Sequence, residues 1–224
     1  MTLLDFPGKV ACTLFTGGCN MRCPFCHNAP LVTRLDGATE WWTEKEILLY
    51  LQRRQGLLDG VCVTGGEPTL QQGLADFLRQ VKELRYAVKL DTNGTNPATL
   101  RTLVEDRLVD YVAMDIKNSP AKYALTAGVP EKELVGVPES LDYLLSGAVE
   151  YEFRTTVVRE LHAESDIAAI ADRIAGARRY FLQNFKDSGD LVGNGSYTPH
   201  TPETLEKMKR IACEKGIPTE IRGI

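Results

Sequence analysis

Cys19, Cys23 and Cys26 stand at C-x3-C-x2-C spacing in the stretch Thr16-Gly-Gly-Cys-Asn-Met-Arg-Cys-Pro-Phe-Cys-His27. Three thiols so spaced fit on one short loop, and Gly17, Gly18 and Pro24 let its backbone curl until all three sulfurs point inward. Four protein ligands close a structural zinc site or an electron-transfer iron-sulfur cluster. Three thiolates on a four-iron cubane leave one iron open, and an open iron suggests chemistry rather than scaffolding. The chain offers no second paired Cys or His element of zinc spacing, and a ferredoxin would supply every cluster ligand itself. Cys12 and Cys62 lie in apolar, strand-like runs and read as small core residues, and Cys213 reads as a helix residue.

Four further polar groups could act beside such a nest. Gly65-Gly66-Glu67 combines two glycines, which let backbone approach a ligand closely, with a carboxylate that suits an ammonium group. By itself it is also compatible with a plain strand-to-helix turn. Asp91-Thr-Asn-Gly94 and Asp115-Ile-Lys117 bring two hard oxygen ligands and a point positive charge for an anionic group, although Asn-Gly is also a common turn. Arg154 interrupts an apolar strand and must have a partner, either a ligand or a structural salt bridge.

The elements that position these residues alternate. Lys9 to Thr16 reads as a buried strand delivering the cysteine loop, which runs on through Gly37. Thr43 and Glu46 form a capping-box pattern ahead of a helix. Strands follow over residues 58–64, 86–90, 109–116, 150–158 and 180–185, with helices between them over 70–85, 97–106, 138–146 and 164–176. Residues 120–136 read as an excursion with short helix at most, 201–215 as a helix and 217–221 as a last short strand or tail. About six β-then-α units in a row imply parallel strands joined by helical crossovers, an α/β fold in a single domain over residues 1–224. Its core spans about 9–185, with 186–224 a C-terminal extension. Every polar group above falls at or near the C-terminal end of a strand, where a parallel barrel builds its active site.

The cysteine loop, with Phe25 before the last cysteine, and the Gly-Gly-Glu element resemble the radical S-adenosylmethionine (SAM) superfamily. That resemblance implies a partial, open (β/α)6 barrel and one [4Fe-4S] cluster held by Cys19, Cys23 and Cys26, with SAM on the open iron. It also implies SAM contacts from Phe25, Gly65, Gly66, Glu67 and Asn93. The Asp91 and Asp115 elements look like those of the glycyl radical enzyme activating enzymes. There, the resemblance implies, the aspartates hold a monovalent cation beside the SAM carboxylate while Lys117 and Arg154 reach SAM. The opening Leu3-Leu-Asp-Phe-Pro-Gly-Lys9 and Gly65-Gly-Glu-Pro-Thr69 are most similar to the short activating proteins of anaerobic ribonucleoside-triphosphate reductase. The resemblance implies reductive cleavage of SAM and removal of hydrogen from a glycine of that partner, with no catalytic side chain beyond the cluster and SAM. The alternative is a radical SAM enzyme acting on a small molecule, such as a 7-carboxy-7-deazaguanine synthase. No cysteine-rich insert lies between Cys26 and Gly65, so one cluster and an external flavodoxin or ferredoxin donor are expected.

Where the pyruvate formate-lyase activating enzymes carry a histidine near the adenine, this chain has Gln183 and Asn184. His27 should point away from the thiolates, His162 and His200 should be solvated, and of Trp41 and Trp42 one should be core and the other surface. A net charge of -4 exerts no general pull toward nucleic acid or anionic membrane. With no signal-like start and no long apolar run, a cytoplasmic, anaerobic enzyme is expected, its motif thiols kept reduced.

Overall fold

The computed structural model describes residues 2–33, 40–187 and 189–223. In chain order the elements are β1 (Ala11–Thr16), α1 (Ala29–Thr33), α2 (Glu44–Gln52), β2 (Gly60–Gly65), α3 (Leu74–Glu83), β3 (Ala87–Thr92), α4 (Pro97–Glu105) and β4 (Tyr111–Asp115). Then come α5 (Tyr123–Ala127), α6 (Val137–Leu145), β5 (Glu150–Val157), α7 (Glu164–Arg173), β6 (Tyr180–Asn184), α8 (Pro202–Glu214) and β7 (Thr219–Arg222). Among the described residues the strands form one seven-stranded sheet in the order β1 to β7. Every neighbouring pair is parallel. The sheet does not close, because β1 and β7 end the series without pairing.

The expected six-unit open barrel is present, with a seventh strand where a strand or tail was foreseen. The loop reading over 34–37 lies outside the described residues, and residues 29–33, expected as loop, form α1. The capping box at α2 is made as its sequence predicts: Thr43 Oγ1 accepts from Glu46 N at 3.3 Å, and Glu46 Oε2 accepts from Thr43 N at 2.8 Å.

The sheet has two chemically different faces, and the period-two alternation of strands assigns them. Val61, Val63, Val88, Leu90, Val112, Met114, Tyr151, Phe153 and Leu182 join the apolar core against the helices. On α3, Leu74, Phe77, Leu78 and Val81 recur at helical spacing and are buried there. Each such side chain contributes about 1.5–3 kcal/mol of burial.

The intervening residues, Cys62, Lys89, Asp91, Asp115, Glu152 and Arg154, face one another across the barrel interior. Its floor is apolar: Phe6, from the short N-terminal lead, is buried against Ala11 and Tyr111. Gly60 leaves room for that ring, since a Cβ there would come within 3.0 Å of it. Among the described residues, no helix is long and apolar enough to cross a membrane.

Candidate functional site

The C-terminal ends of the strands surround a cavity of about 360 Å³, within the range of roughly 300–1,000 Å³ usual for small-molecule sites. Cys19, Cys23, Phe25, Cys26, Gly65, Gly66, Glu67, Asp91, Asn93, Asp115, Lys117 and Arg154 all line it. The structure therefore brings these twelve residues around one cavity. Asp5, Thr13 and Phe15 form part of its wall as well, and Gln183 lines it from the end of β6. Asn184 turns aside and exchanges hydrogen bonds with the backbone of His200, so only one of the two candidates after β6 faces the cavity.

The cysteine loop is fastened from several sides. Cys26 N donates to Cys23 O at 3.0 Å, tightening the turn. Arg22 N donates to Ala127 O at 2.8 Å, and Gln71 Nε2 donates to Gly17 O at 2.7 Å. The stretch after β6, whose role the sequence did not disclose, straps the loop: Val192 N donates to Cys26 O and Gly193 N to Pro24 O. The three thiols open onto one cavity. Among the described residues no trio of His, Cys, Asp or Glu converges on a single ion position, as a zinc site requires. Three soft donors lining one cavity are the ligand type that an iron-sulfur cluster takes. Burial pushes the Cys23 thiol up to about 11, against the opposing effect of Lys117, and burial also raises Cys19.

Gly65 and Gly66 serve the loop more directly than the sequence reading foresaw. Gly66 N donates to Thr16 O at 2.9 Å and Glu67 N to Gly18 O at 2.8 Å, so the end of β2 is zipped onto the backbone leading to Cys19. A Cβ at Gly66 would lie 1.9 Å from Gly18 O, and Gly65 holds φ +120° with Thr16 N 2.3 Å from where its Cβ would be. Gly66→Ala must therefore push the loop away or strain β2. We expect a loss of roughly 2–3 kcal/mol, or about 5–10 °C in thermal midpoint, together with weakened iron retention. Thermal unfolding and iron content of the purified variant check this, and unchanged values would refute the zipper.

Glu67 lines the cavity and also braces its wall. Its buried carboxylate accepts from Thr69 N (3.0 Å), Thr69 Oγ1 (2.6 Å) and Thr92 Oγ1 (2.8 Å) at Oε1 and from Asn93 N (2.7 Å) at Oε2. Burial raises its pKa, opposed by those hydrogen bonds. Asn93 likewise braces the loop, donating to Asn20 Oδ1 at 2.9 Å and accepting from Thr95.

The interior carries the charge. Arg154 Nη1 lies 3.0 Å from Asp91 Oδ2 and its Nε 2.9 Å from Asp115 Oδ1, so the salt-bridge reading of this arginine is realised. Lys117 Nζ lies 3.1 Å from Asp115 Oδ2. Lys89, which the sequence reading passed over, is buried with its ammonium on Asp91 Oδ1. Burial alone would raise Asp115, but Arg154 and then Lys117 hold its carboxyl well below the usual carboxylate range. Burial disfavours the Lys117 cation, yet Asp115 keeps it firmly charged. Cys62 is fully buried, as expected of a small core residue, and faces this cluster: its thiol lies 3.7 Å from Asp91 Oδ1, and burial followed by Asp91 pushes it up to about 12.

Two histidines also depart from expectation. His162 is buried, with Nε2 2.8 Å from Lys117 O, and its ring stands edge-on to Phe25 at 6.4 Å. Burial lowers its pKa, so it supports Phe25 as a neutral ring. His200 is buried too. Only His27 remains exposed, at the cavity mouth. Trp41 and Trp42 are both exposed, at 44% and 61%, so neither is core.

The pattern of the family described as "Radical SAM superfamily" matches residues 13–133. A Methanocaldococcus jannaschii protein named "Putative glycyl-radical enzyme activating enzyme" is 33% identical over 199 residues, covering 85% of this chain and 80% of that protein. The 7-carboxy-7-deazaguanine synthase of Thermoplasma acidophilum is 29% identical over 180 residues, covering 72% of this chain and 78% of the synthase. Among solved structures, Streptococcus suis SuiB bound to S-adenosylmethionine superposes with a TM-score of 0.75 at 15% identity, over 98% of this chain. This chain spans about half of SuiB, 51% of its length.

Proposed function

The chain belongs to the radical SAM superfamily, and from that premise we propose that it is a glycyl radical enzyme activating enzyme acting as a single domain. Cys19, Cys23 and Cys26 would hold three irons of one [4Fe-4S] cluster, with SAM beside it in the cavity. Bound there and reduced by an external donor, the cluster would supply one electron for cleaving SAM to methionine and a 5′-deoxyadenosyl radical, the species that would take hydrogen from a glycine Cα. The chain's own residues bind and orient. Lys117 attracts a carboxylate, the backbone of Gly65 and Gly66 forms the wall nearest Cys19, and Phe25, backed by His162, closes the apolar side against water.

The observation that carries the activase reading is the open flank. β1 is the first strand of the sheet and Thr2 bridges its outer edge at Ala11, while Phe15, 54% exposed, stands farther along it in the cavity wall. A peptide loop bearing the target glycine can enter there, whereas a small-molecule enzyme gains from enclosing its substrate. The relative named as an activating enzyme, aligned over most of both chains, supports the same reading. Anaerobic ribonucleoside-triphosphate reductase is the proposed partner, in the cytoplasm, with flavodoxin or ferredoxin as donor.

The test is electron paramagnetic resonance of the reductase after anaerobic incubation with the cluster-loaded protein, SAM and reductant. A glycyl radical doublet on the reductase is expected. SAM cleavage with no doublet on any glycyl radical enzyme supplied would move the assignment to small-molecule chemistry of the deazaguanine synthase kind.

A further inference from the structure

A monovalent cation between Asp91 and Asp115, as the resemblance implies, does not fit the residues present. Such an ion needs carboxylate oxygens that are not already committed to positive groups. Here all four are committed. Asp91 Oδ1 takes the ammonium of Lys89 and the thiol of Cys62, and Asp91 Oδ2 takes Arg154 Nη1 at 3.0 Å. Asp115 Oδ1 takes Arg154 Nε at 2.9 Å, and Asp115 Oδ2 takes Lys117 Nζ at 3.1 Å.

Charge points the same way. Three cationic side chains, Lys89, Arg154 and Lys117, already face two carboxylates. The nearby Glu152 adds no uncompensated negative charge, because Arg222 pairs with it at 2.9 and 3.2 Å. The cluster thus carries one positive charge beyond its own carboxylates, which is what an anionic ligand group at Lys117 requires. A further mobile cation would add repulsion where charges are poorly screened.

We propose that Lys89 is a tethered substitute for that ion: its fixed ammonium neutralises Asp91 from inside the barrel, so that the ligand's carboxylate binds without recruiting sodium or potassium. Lys89 is a positioning residue, acting through Asp91 and Arg154 and touching no ligand itself. Its side chain is only 2% exposed and rises from β3 two residues before Asp91, on the same face. An ammonium held covalently at that spot has an effective concentration that dissolved salt does not reach. Its displacement by an alkali ion would leave a buried lysine unpaired.

This inference rests on SAM as the cavity's ligand, and its test separates the two. SAM affinity of the cluster-loaded protein is measured by anaerobic calorimetry in tetramethylammonium, sodium and potassium chloride at equal ionic strength. For the unaltered protein the dissociation constant should change less than about twofold among the salts. Lys89→Met, which keeps the stem and loses the charge, should bind SAM at least about tenfold more weakly in tetramethylammonium. Sodium or potassium should recover most of that loss, and Lys89→Arg should stay salt-indifferent. Tenfold tightening of the unaltered protein by an alkali ion would overturn the proposal. So would a Lys89→Met protein whose affinity is unchanged, or lost in every salt alike. If Lys89→Met does not fold, the unaltered protein's salt series decides by itself. Absence of SAM binding in all three salts would instead remove the functional reading, and the proposal with it.

Discussion

Replacing Cys23 with alanine is expected to lower reconstituted iron from about four per chain to background and SAM cleavage by at least about a hundredfold. The fold should survive. Cys23 lies on a loop whose backbone is tied by Arg22, Cys26 and the strap over Pro24, none of which uses the thiol. Its side chain packs at the edge of the apolar core, where loss of one sulfur costs about 1 kcal/mol. Cys19→Ala and Cys26→Ala should behave alike, because three ligands form one site. Iron analysis with far-ultraviolet circular dichroism of the three variants checks this. Activity surviving in all three would end the cluster assignment, whereas a wholly unfolded trio would make the loop structural.

The second large effect is expected at Arg154. One guanidinium spans Asp91 and Asp115, so Arg154→Met strands two half-buried carboxylates at once. Breaking a buried pair from one side costs about 3–5 kcal/mol. Lys89 and Lys117 still hold one oxygen of each aspartate, which places the expected loss near the lower figure, about 3 kcal/mol. Urea denaturation under anaerobic conditions measures it, and a change under about 0.5 kcal/mol would show that the bridge is not stabilising.

The same pairing sets an acid limit. The folded-state pKa of Asp115 is depressed, so its contribution is complete above the unfolded value of about 4 and is lost as pH falls below it toward the folded value. Arg154→Met should flatten that acid-side slope.

The parallel α/β order was legible because each strand and helix carries its own period, and the polar groups mark the strand ends. The cysteine loop was legible because metal ligands must be particular residue types at short spacing. What stayed hidden was the role of side chains facing inward. The alternation Ala87-Val88-Lys89-Leu90-Asp91 places Lys89 beside Asp91, and that signal was present. It was masked because a lone lysine in an apolar strand is usually read without the aspartate two positions along the same strand.

The bracing bonds of Glu67 and Asn93 stayed hidden as well, because sequence shows a carboxylate and an amide but not the Thr69, Thr92 and Asn20 groups that bond to them. His162 looked solvated because its flanks are polar; its burial depends on the distant carbonyl of Lys117. The strap at Val192 and Gly193 uses backbone groups, which leave no trace in residue type.

The most direct measurement is 5′-deoxyadenosine released from SAM by the protein after anaerobic reconstitution with iron and sulfide and reduction by dithionite, alongside Cys23→Ala. Release by the unaltered protein carrying about four irons per chain, and none by the variant, is the expected result. Iron uptake without any release, or release that persists in Cys23→Ala, would contradict the assignment of this cavity to SAM cleavage.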